Sequence, residues 1–227
     1  RHPERGILGP DLFLPLAEEL GVVGEVDRLV FLRAIDEMTA LTERGVALPR
    51  LSFNVSTSRV SDRQVLAEFE RIRKFPGQVV FELLESIFVE QADIGFLMTI
   101  DRLRDMGVTF EVDDFGSGHS SIIALTRIAP ERLKIDSRLV APIIDSDSAM
   151  QLVRAVADIG RALDIAVTAE GVETAAHADK LRGIGCSVLQ GYHFSRPLPA
   201  AQFEQLLRTE SWRQAGLEPP QKAGGLR

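Results

Sequence analysis

Two adjacent carboxylates, Asp113 and Asp114, stand where an apolar run gives way to glycine. The run 108–112 predicts a buried strand, and Gly116 and Gly118 follow the acids. Successive strand residues point to opposite faces, so both acids could reach one centre only if the backbone turned between them. Glycine favours such a turn because it tolerates positive φ. The segment therefore predicts either a metal-binding pair of acids or an acidic turn with capping side chains.

A polar or ionisable residue lies at or near the end of every β-rich run in the chain. These residues are Asn54, Glu82, Glu85, Asp113, Asp114, Lys134, Asp136, Glu170, Glu173 and Gln190. The carboxyl ends of the strands in a parallel barrel form one mouth, and active sites lie there. Separate caps or turns could explain each residue alone, but they do not explain why six apolar strands end in the same way. The pattern predicts one shared site.

The types of these side chains narrow the chemistry. Carboxylate and amide oxygens, without a cluster of His or Cys, suit hard cations such as Mg²⁺ or Mn²⁺. Lys134 is the one cation among the acids, and it could be a salt-bridged barrel lysine or a group that holds a water or a phosphate oxygen. Hard divalent ions with a lysine favour a metal-activated water that attacks a phosphodiester. An enolase-like proton abstraction is the competing chemistry.

Short apolar runs alternate with amphipathic segments along most of the chain. The predicted strands are Leu51–Val55, Val79–Leu83, Val108–Val112, Arg132–Ile135, Ala166–Ala169 and Ser187–Tyr192. The predicted helices include Val23 to Arg44, Asp62–Lys74, Ala92–Met106, Ala149–Leu163 and Ala175–Ile184. Gly45, Gly107 and Gly185 fit the ends of helices. Strand–helix alternation predicts parallel pairing, but six strands do not close an eight-stranded barrel, so the sheet is open or further strands lie upstream of Arg1.

Composition excludes several classes of protein. The chain has 227 residues, 45% of them apolar, and a net charge of −7, which argues against a basic surface that holds a DNA or RNA polymer. The one cysteine, Cys186, provides no internal disulfide and is expected to be buried. The sequence has neither a signal peptide nor an apolar run long enough to span a membrane, so a cytoplasmic domain is expected.

A set of short motifs in a fixed order resembles the EAL domain family, the bacterial cyclic-di-GMP phosphodiesterases. The motifs are Gly9-Pro10 to Pro15-Leu-Ala-Glu-Glu19, Asn54-Val-Ser56, Glu82-Leu-Leu-Glu85-Ser86, Asp113-Asp-Phe-Gly-Ser-Gly-His-Ser-Ser121, Lys134-Ile-Asp136, Ala169-Glu-Gly-Val-Glu-Thr174 and Gln190-Gly-Tyr-His-Phe-Ser-Arg-Pro-Leu198. They follow the family's order and extend over nearly the whole chain. The resemblance implies a TIM-like (β/α)8 barrel with one antiparallel strand, in a domain that occupies residues 1–212. Residues 213–227 are rich in proline, glycine and charge, so they are expected to form a flexible tail.

The resemblance also implies an activity, the hydrolysis of cyclic di-GMP to linear pGpG with two Mg²⁺ or Mn²⁺ ions. By position, Asn54, Glu82 and Asp113 resemble the ligands of the first ion. Asp113, Asp114 and Glu170 resemble those of the second ion. A catalytically inactive receptor for cyclic di-GMP is the alternative function.

Further residues take their expected roles from the same resemblance. Lys134 would orient the attacking water, and Glu170 and Glu173 complete the expected catalytic set. Gln190, Arg196 and Pro197 are expected to bind substrate, with Gln190 also supporting the network of metal and water. Glu85 matches the acid that steadies the loop after Asp114.

The chain departs from the family pattern at the missing motif, at Leu84 and, more mildly, at Ser117 and His119, where the family usually has Thr and Tyr. The Glu-Ala-Leu motif that names the family, with the first two strands, would fall upstream of Arg1. Leu84 stands where the family usually has Thr. Expected partners are cyclic di-GMP, a second copy of the chain and a sensor or diguanylate cyclase domain fused upstream, in a parent protein that could carry a membrane anchor.

Overall fold

A single parallel sheet organises the chain. The computed structural model describes residues 2–61, 64–85, 94–116 and 122–209. The strands are β1 (Arg50–Asn54), β2 (Gln78–Leu84), β3 (Val108–Phe115), β4 (Arg132–Ile135), β5 (Ala166–Ala169) and β6 (Val188–Leu189). Every neighbouring pair is parallel, and the strand order follows the chain order from β1 to β6. A doubly wound sheet reverses its strand order, so this winding confirms the TIM-barrel type. The antiparallel strand implied by the resemblance is not among these six.

Helices precede the sheet and connect its strands. They are α1 (Leu14–Glu19), α2 (Val23–Glu43), α3 (Thr57–Ser61), α4 (Gln64–Ala67), α5 (Phe69–Lys74), α6 (Ile94–Asp105), α7 (Ile122–Ile128), α8 (Ser137–Val140), α9 (Asp147–Ala162), α10 (Ala175–Ile184) and α11 (Ala200–Thr209), with 3-10 turns at Pro10–Leu12 and Ala141–Ile144. Gly45, Gly107 and Gly185 follow helices with φ of 82°, 89° and 105°, which confirms their expected place. Within the described ranges, none of the helices is both long and apolar enough to cross a membrane.

The hydrophobic core lies between the helices and one face of the sheet. Phe31 of α2 packs against Phe53 of β1 and Phe81 of β2, with ring centroids 4.8 and 5.9 Å apart. Phe81 in turn meets Phe110 of β3 edge to face at 6.1 Å. These rings bury large apolar areas and hold the first three strands against α2. The opposite face of the sheet carries most of the charged residues of the strands, although Val80 there is also fully buried.

The structure divides the expected helix Asp62–Lys74 into shorter pieces. α3 begins earlier, and a turn at Glu68 separates α4 from α5. Glu68 is almost fully buried and forms ion pairs with Arg59 and with Arg28 of α2, the latter at 3.1 Å. The turn thus brings a carboxylate to two arginines. Residues 62–63 lie outside the described ranges.

The end of the chain also differs from the expected elements. β6 contains Val188 and Leu189 alone, whereas the sequence predicts a strand over 187–192. The main chain of Gln190 leaves the strand and bonds with Ala169 at 2.9 Å and with Val172 at 3.0 Å. Gly118, Trp212 and the tail 213–227 lie outside the described residues.

Candidate metal centre and active site

The sheet presents a polar face, which we call the pocket face. Strand residues alternate between the two faces, so the neighbours of buried Phe53, Leu83, Val112, Leu133 and Val167 point away from the helices. The residues near the carboxyl end of the pocket face are Asn54, Glu82, Leu84, Glu111, Asp113, Lys134, Thr168 and, directly after β5, Glu170. Parallel pairing brings the carboxyl ends of these strands to the same edge, which confirms that the acids and the lysine of separate motifs lie together.

Lys134 is the centre of this cluster. Its Nζ lies 2.7 Å from Oε2 of Glu82, 3.0 Å from Oδ1 of Asp113 and 2.7 Å from Oε1 of Glu170. The lysine side chain is 4% exposed. An ammonium group has three donors, and each has a carboxylate within reach. Lys134 therefore joins β2, β3, β4 and the loop after β5.

The charges of the cluster are out of balance. Burial alone would lower the pKa of Lys134, but Glu82, Asp113 and Glu170 outweigh it and raise that pKa, so the amine stays protonated. Burial raises the pKa of Glu170 against the opposing pull of Lys134. With Asp114 included, four carboxylates against one ammonium leave a formal charge of −3 when all are ionised. A bound cation would compensate this excess.

The backbone turns at the acid pair, as the sequence predicts, and positive φ occurs at Asp114 itself as well as at Gly116, where φ is 96°. Asp114 has a φ of 53°, in the left-handed region that Asp and Asn tolerate better than most residues. The pairing of β3 with β4 shifts register between Val112 and Phe115. The Asp114 amide donates to Oδ1 of Asp113 at 3.0 Å. This irregularity lets two consecutive residues face the same site.

Asp113, Asp114 and Glu170 form a three-carboxylate group that fits a divalent cation. One carboxylate oxygen from each lies within 4.8 Å of the other two. Burial, and then the neighbouring charges of Asp113 and Asp136, raise the pKa of Asp114. All three donors are hard oxygens, the type that Mg²⁺ and Mn²⁺ prefer. These residues match the donor set that the resemblance assigns to the second ion.

Glu85 ties the end of β2 to the turn after the acid pair. Its side chain is 2% exposed, and Oε2 accepts a hydrogen bond from the Gly116 amide at 2.8 Å. The Glu85 amide donates to the carbonyl of Asp113 at 3.1 Å. Glu85 therefore holds the segment that carries both aspartates from two sides.

The other expected site residues lie at the same edge but outside the Lys134 cluster. Asn54 ends β1 opposite Glu82 in the strand register, and its side chain is exposed. Glu173 is exposed three residues after Glu170. Gln190 is exposed after β6, where its main chain bonds to the loop that follows β5. The Arg196 guanidinium lies 4.5 Å from the centroid of the exposed Tyr192 ring, and Pro197 is exposed beside it.

Charged residues that the sequence did not single out lie beneath the cluster. Glu111 is 3% exposed and pairs with Arg50, and Arg132 lies 3.6 Å from the same carboxylate. Burial raises the pKa of Glu111 even though both arginines oppose the shift. Glu111 stands two residues before Asp113 on β3, and this spacing places both side chains on the same face of the sheet. That spacing could have identified Glu111 from the sequence.

Asp136 is a second residue whose role the sequence left open. Its carboxylate caps α8 by accepting from the Arg138 amide at 2.7 Å and pairs with the Arg138 guanidinium. The hydrogen bond from Arg138 holds the pKa of Asp136 below its ordinary range. The pair fixes the turn that follows β4 next to Asp114.

Comparison with known proteins agrees with this geometry. The model of the EAL domain family matches residues 1–197. A relative from Pseudomonas aeruginosa, cyclic di-GMP phosphodiesterase NbdA, is 34% identical over 212 residues, which are 92% of this chain and 27% of the relative. The chain spans about a quarter of the length of this relative and of the oxygen sensor protein DosP from Escherichia coli.

Solved structures share the fold and the ligands suggested by the site. A structure described as "PaMucR Phosphodiesterase, c-di-GMP complex" matches with a TM-score of 0.80 and 31% identity, over 89% of this chain and 83% of that one. A manganese/cy-diGMP complex of BlrP1 from Klebsiella pneumoniae matches with a TM-score of 0.68 and 28% identity, over 77% of this chain and 45% of that one. The manganese in that structure and the acidic cluster here both suggest the use of a divalent metal.

Proposed function

Because the chain belongs to the EAL domain family, we propose that it hydrolyses cyclic di-GMP to linear pGpG with the help of Mg²⁺ or Mn²⁺. The observation that carries this proposal is the meeting of Asp113, Asp114 and Glu170 beside a buried, protonated Lys134. Such a site combines hard cation ligands with a hydrogen-bond donor, and none of its described members is a serine or a cysteine. The phosphodiesterase names of the relatives and the bound nucleotide of the neighbouring structures support the same substrate.

The proposed ligands divide between two ions. Asn54, Glu82 and Asp113 would hold the first, and Asp113, Asp114 and Glu170 the second. Bound ions would lower the pKa of a water and neutralise charge on the phosphodiester. The chain's own contribution is a set of oxygen ligands held in place by β2, β3 and the loop after β5.

Lys134 would act as a donor and not as a base. Its raised pKa keeps it protonated at neutral pH. Its three carboxylate contacts orient the acids, and an N–H group released from one of them could hold a water. Glu173 and Gln190 would support this water from the exposed edge of the site.

The nucleotide itself would lie along the exposed rim after β6. Arg196 and Pro197 are proposed to contact it, with Arg196 oriented by its contact with the Tyr192 ring at 4.5 Å. We further propose that the domain acts as a homodimer and is fused to a sensor or a diguanylate cyclase domain. The greater length of the relatives supports the fusion.

The test is an assay of the 227-residue chain with cyclic di-GMP, with and without Mg²⁺ or Mn²⁺, and with pGpG measured by chromatography. We expect metal-dependent product, and we expect Asp113→Ala to abolish it. Asp158→Ala is the matched control, because Asp158 is an exposed acid of α9 that pairs with Arg161. Binding of cyclic di-GMP without product would contradict hydrolysis and would identify a receptor instead.

A further inference from the structure

Leu84 is a large apolar side chain on the otherwise polar end of the pocket face. It is the last residue of β2 and is 47% exposed, whereas its neighbour Leu83 is fully buried in the core. Strand alternation places Leu84 on the same face as Glu82, which bonds to Lys134 at 2.7 Å. Leu84 therefore projects at the rim of the metal-binding cluster.

The position of Leu84 is fixed by its surroundings. In the strand register it lies opposite Asp113, one of the proposed metal ligands. The next residue, Glu85, is buried and anchored to Asp113 and Gly116 through hydrogen bonds of 3.1 and 2.8 Å. These contacts fix the backbone at the end of β2, so the half-exposed side chain of Leu84 presents apolar surface next to the carboxylates.

An exposed leucine beside charged groups has a physical use when a ligand covers it. Binding sites combine a few polar groups that fix the ligand with apolar surface that is buried on binding. A cyclic dinucleotide offers both parts, since each phosphodiester is flanked by a ribose and a purine. The phosphate would face the acids and the lysine, and the neighbouring sugar or base would face Leu84.

We propose that Leu84 is a specificity residue that contacts the sugar or base next to the phosphodiester; this inference rests on the proposed function. It predicts that Leu84 affects the binding of the nucleoside part and leaves the hydrolytic chemistry unchanged. The experiment measures KM and kcat for cyclic di-GMP with Mn²⁺, and the melting temperature, for the wild-type chain, Leu84→Ala, Leu84→Met and Leu152→Ala. Leu152, 55% exposed on α9, is the control for losing an exposed leucine.

We expect Leu84→Ala to raise KM about 5-fold, because the variant loses part of one buried apolar contact with the ligand. Its kcat should stay within about twofold of the wild-type value. Leu84→Met should keep the wild-type KM, because it restores the apolar surface, and Leu152→Ala should be unchanged. An unchanged KM in Leu84→Ala would overturn the inference. So would a loss of kcat alone, or equal losses in Leu84→Ala and Leu84→Met with a lower melting temperature.

The same experiment separates this inference from the proposed function. A wild-type chain that binds cyclic di-GMP but forms no pGpG would overturn hydrolysis. The ratio of dissociation constants for Leu84→Ala and wild type would then decide the role of Leu84 by the same 5-fold criterion. A wild-type chain that neither binds nor hydrolyses cyclic di-GMP would overturn both.

Discussion

The Nζ atom of Lys134 lies 2.7 Å from Oε1 of Glu170, and this contact joins β4 to the loop that follows β5. The same nitrogen reaches Glu82 and Asp113 from β2 and β3. One buried cation thus holds three carboxylates that come from three separate parts of the sequence. Its removal would expose these acids to one another.

Lys134→Met should destabilise the domain and make its stability more dependent on metal. Removing one partner of a buried ion pair typically costs about 3–5 kcal/mol, because the remaining charges are uncompensated. Mn²⁺ should then raise the melting temperature of the variant more than that of the wild type. Thermal unfolding with and without Mn²⁺ measures both effects.

Lys180→Met is the control for this experiment. Lys180 bonds to the carbonyls of Ile143 and Ile144 at 3.0 and 3.1 Å, so its partners are neutral. Its loss should lower stability by an amount that Mn²⁺ does not restore. Equal responses of the two variants to Mn²⁺ would contradict the role assigned to Lys134.

Glu85→Ala should lower activity more than it lowers stability. The variant loses the acceptor for the Gly116 amide, which costs about 1–2 kcal/mol, and it frees the turn that follows the two aspartates. Misplacement of ligands by a fraction of an ångström should reduce kcat roughly 10- to 100-fold. Glu85→Gln keeps an acceptor oxygen, so its kcat should lie between those of the wild type and Glu85→Ala. Steady-state kinetics with thermal unfolding distinguish these outcomes.

Glu204→Ala provides the comparison for Glu85→Ala. Glu204 pairs with Arg44 and Arg208 at the surface, so it tests the loss of an acid far from the site. Its kcat should match the wild type. If kcat fell equally in both variants, the link between Glu85 and the turn at Gly116 would have no role in activity.

The sequence predicted the sheet and the meeting of the acids well, because both follow from local pattern. The bounds of β4 and β5 agree with the apolar runs, since each strand is a short buried segment between a helix and a polar residue. Three helix ends were also predicted, because glycine favours the positive φ that follows a helix. Because the strands were predicted to be parallel, the polar residues at their carboxyl ends were expected to meet at one edge of the sheet.

Features that depend on distant partners were missed. The turn at Glu68 follows from its pairs with Arg28 and Arg59, and spacing along the chain does not reveal those contacts. The pairing of Glu111 with Arg50 likewise joins two strands that are 61 residues apart. The helix α8 was not predicted either, because its four residues are too few to show the spacing of apolar residues that indicates a helix.

Asp136 should make part of the stability depend on acid pH. Its folded pKa is depressed from the ordinary value of 3.8, so its contribution is present above that value and is lost as pH falls through the folded pKa. Asp136→Asn keeps a capping oxygen but loses the charge. Asp136→Ala also loses the cap, so its free energy of unfolding should be about 1 kcal/mol lower than that of Asp136→Asn. Chemical unfolding between pH 2.5 and 7, a range chosen to span roughly the titration of Asp, should show the difference between wild type and Asp136→Asn shrinking below pH 3.8. A difference that is constant with pH would contradict this assignment.

Asp114→Asn should weaken metal binding without disturbing the backbone. Asn adopts a φ of 53° about as readily as Asp, whereas Ala would add strain. The variant has one carboxylate fewer in the three-acid group, so apparent affinity for Mn²⁺ should fall by at least roughly 10-fold, the loss typical even of an outer partner. Without metal its stability should equal or exceed that of the wild type, because burial and the charge of Asp113 oppose ionisation of Asp114.

Asp164→Asn is the matched control for this substitution. Asp164 is exposed after α9 and has a φ of 57°, so it repeats the backbone conformation of Asp114 away from the pocket face. Titration with Mn²⁺, followed by melting temperature and by the number of ions retained per chain, should give wild-type affinity for Asp164→Asn alone. Wild-type affinity in Asp114→Asn would exclude Asp114 as a ligand. An equal loss of Mn²⁺ affinity in both variants would assign the effect to the backbone or to net charge. Asp164→Asn makes the same substitution at a similar φ and removes the same charge, but it lies away from the site.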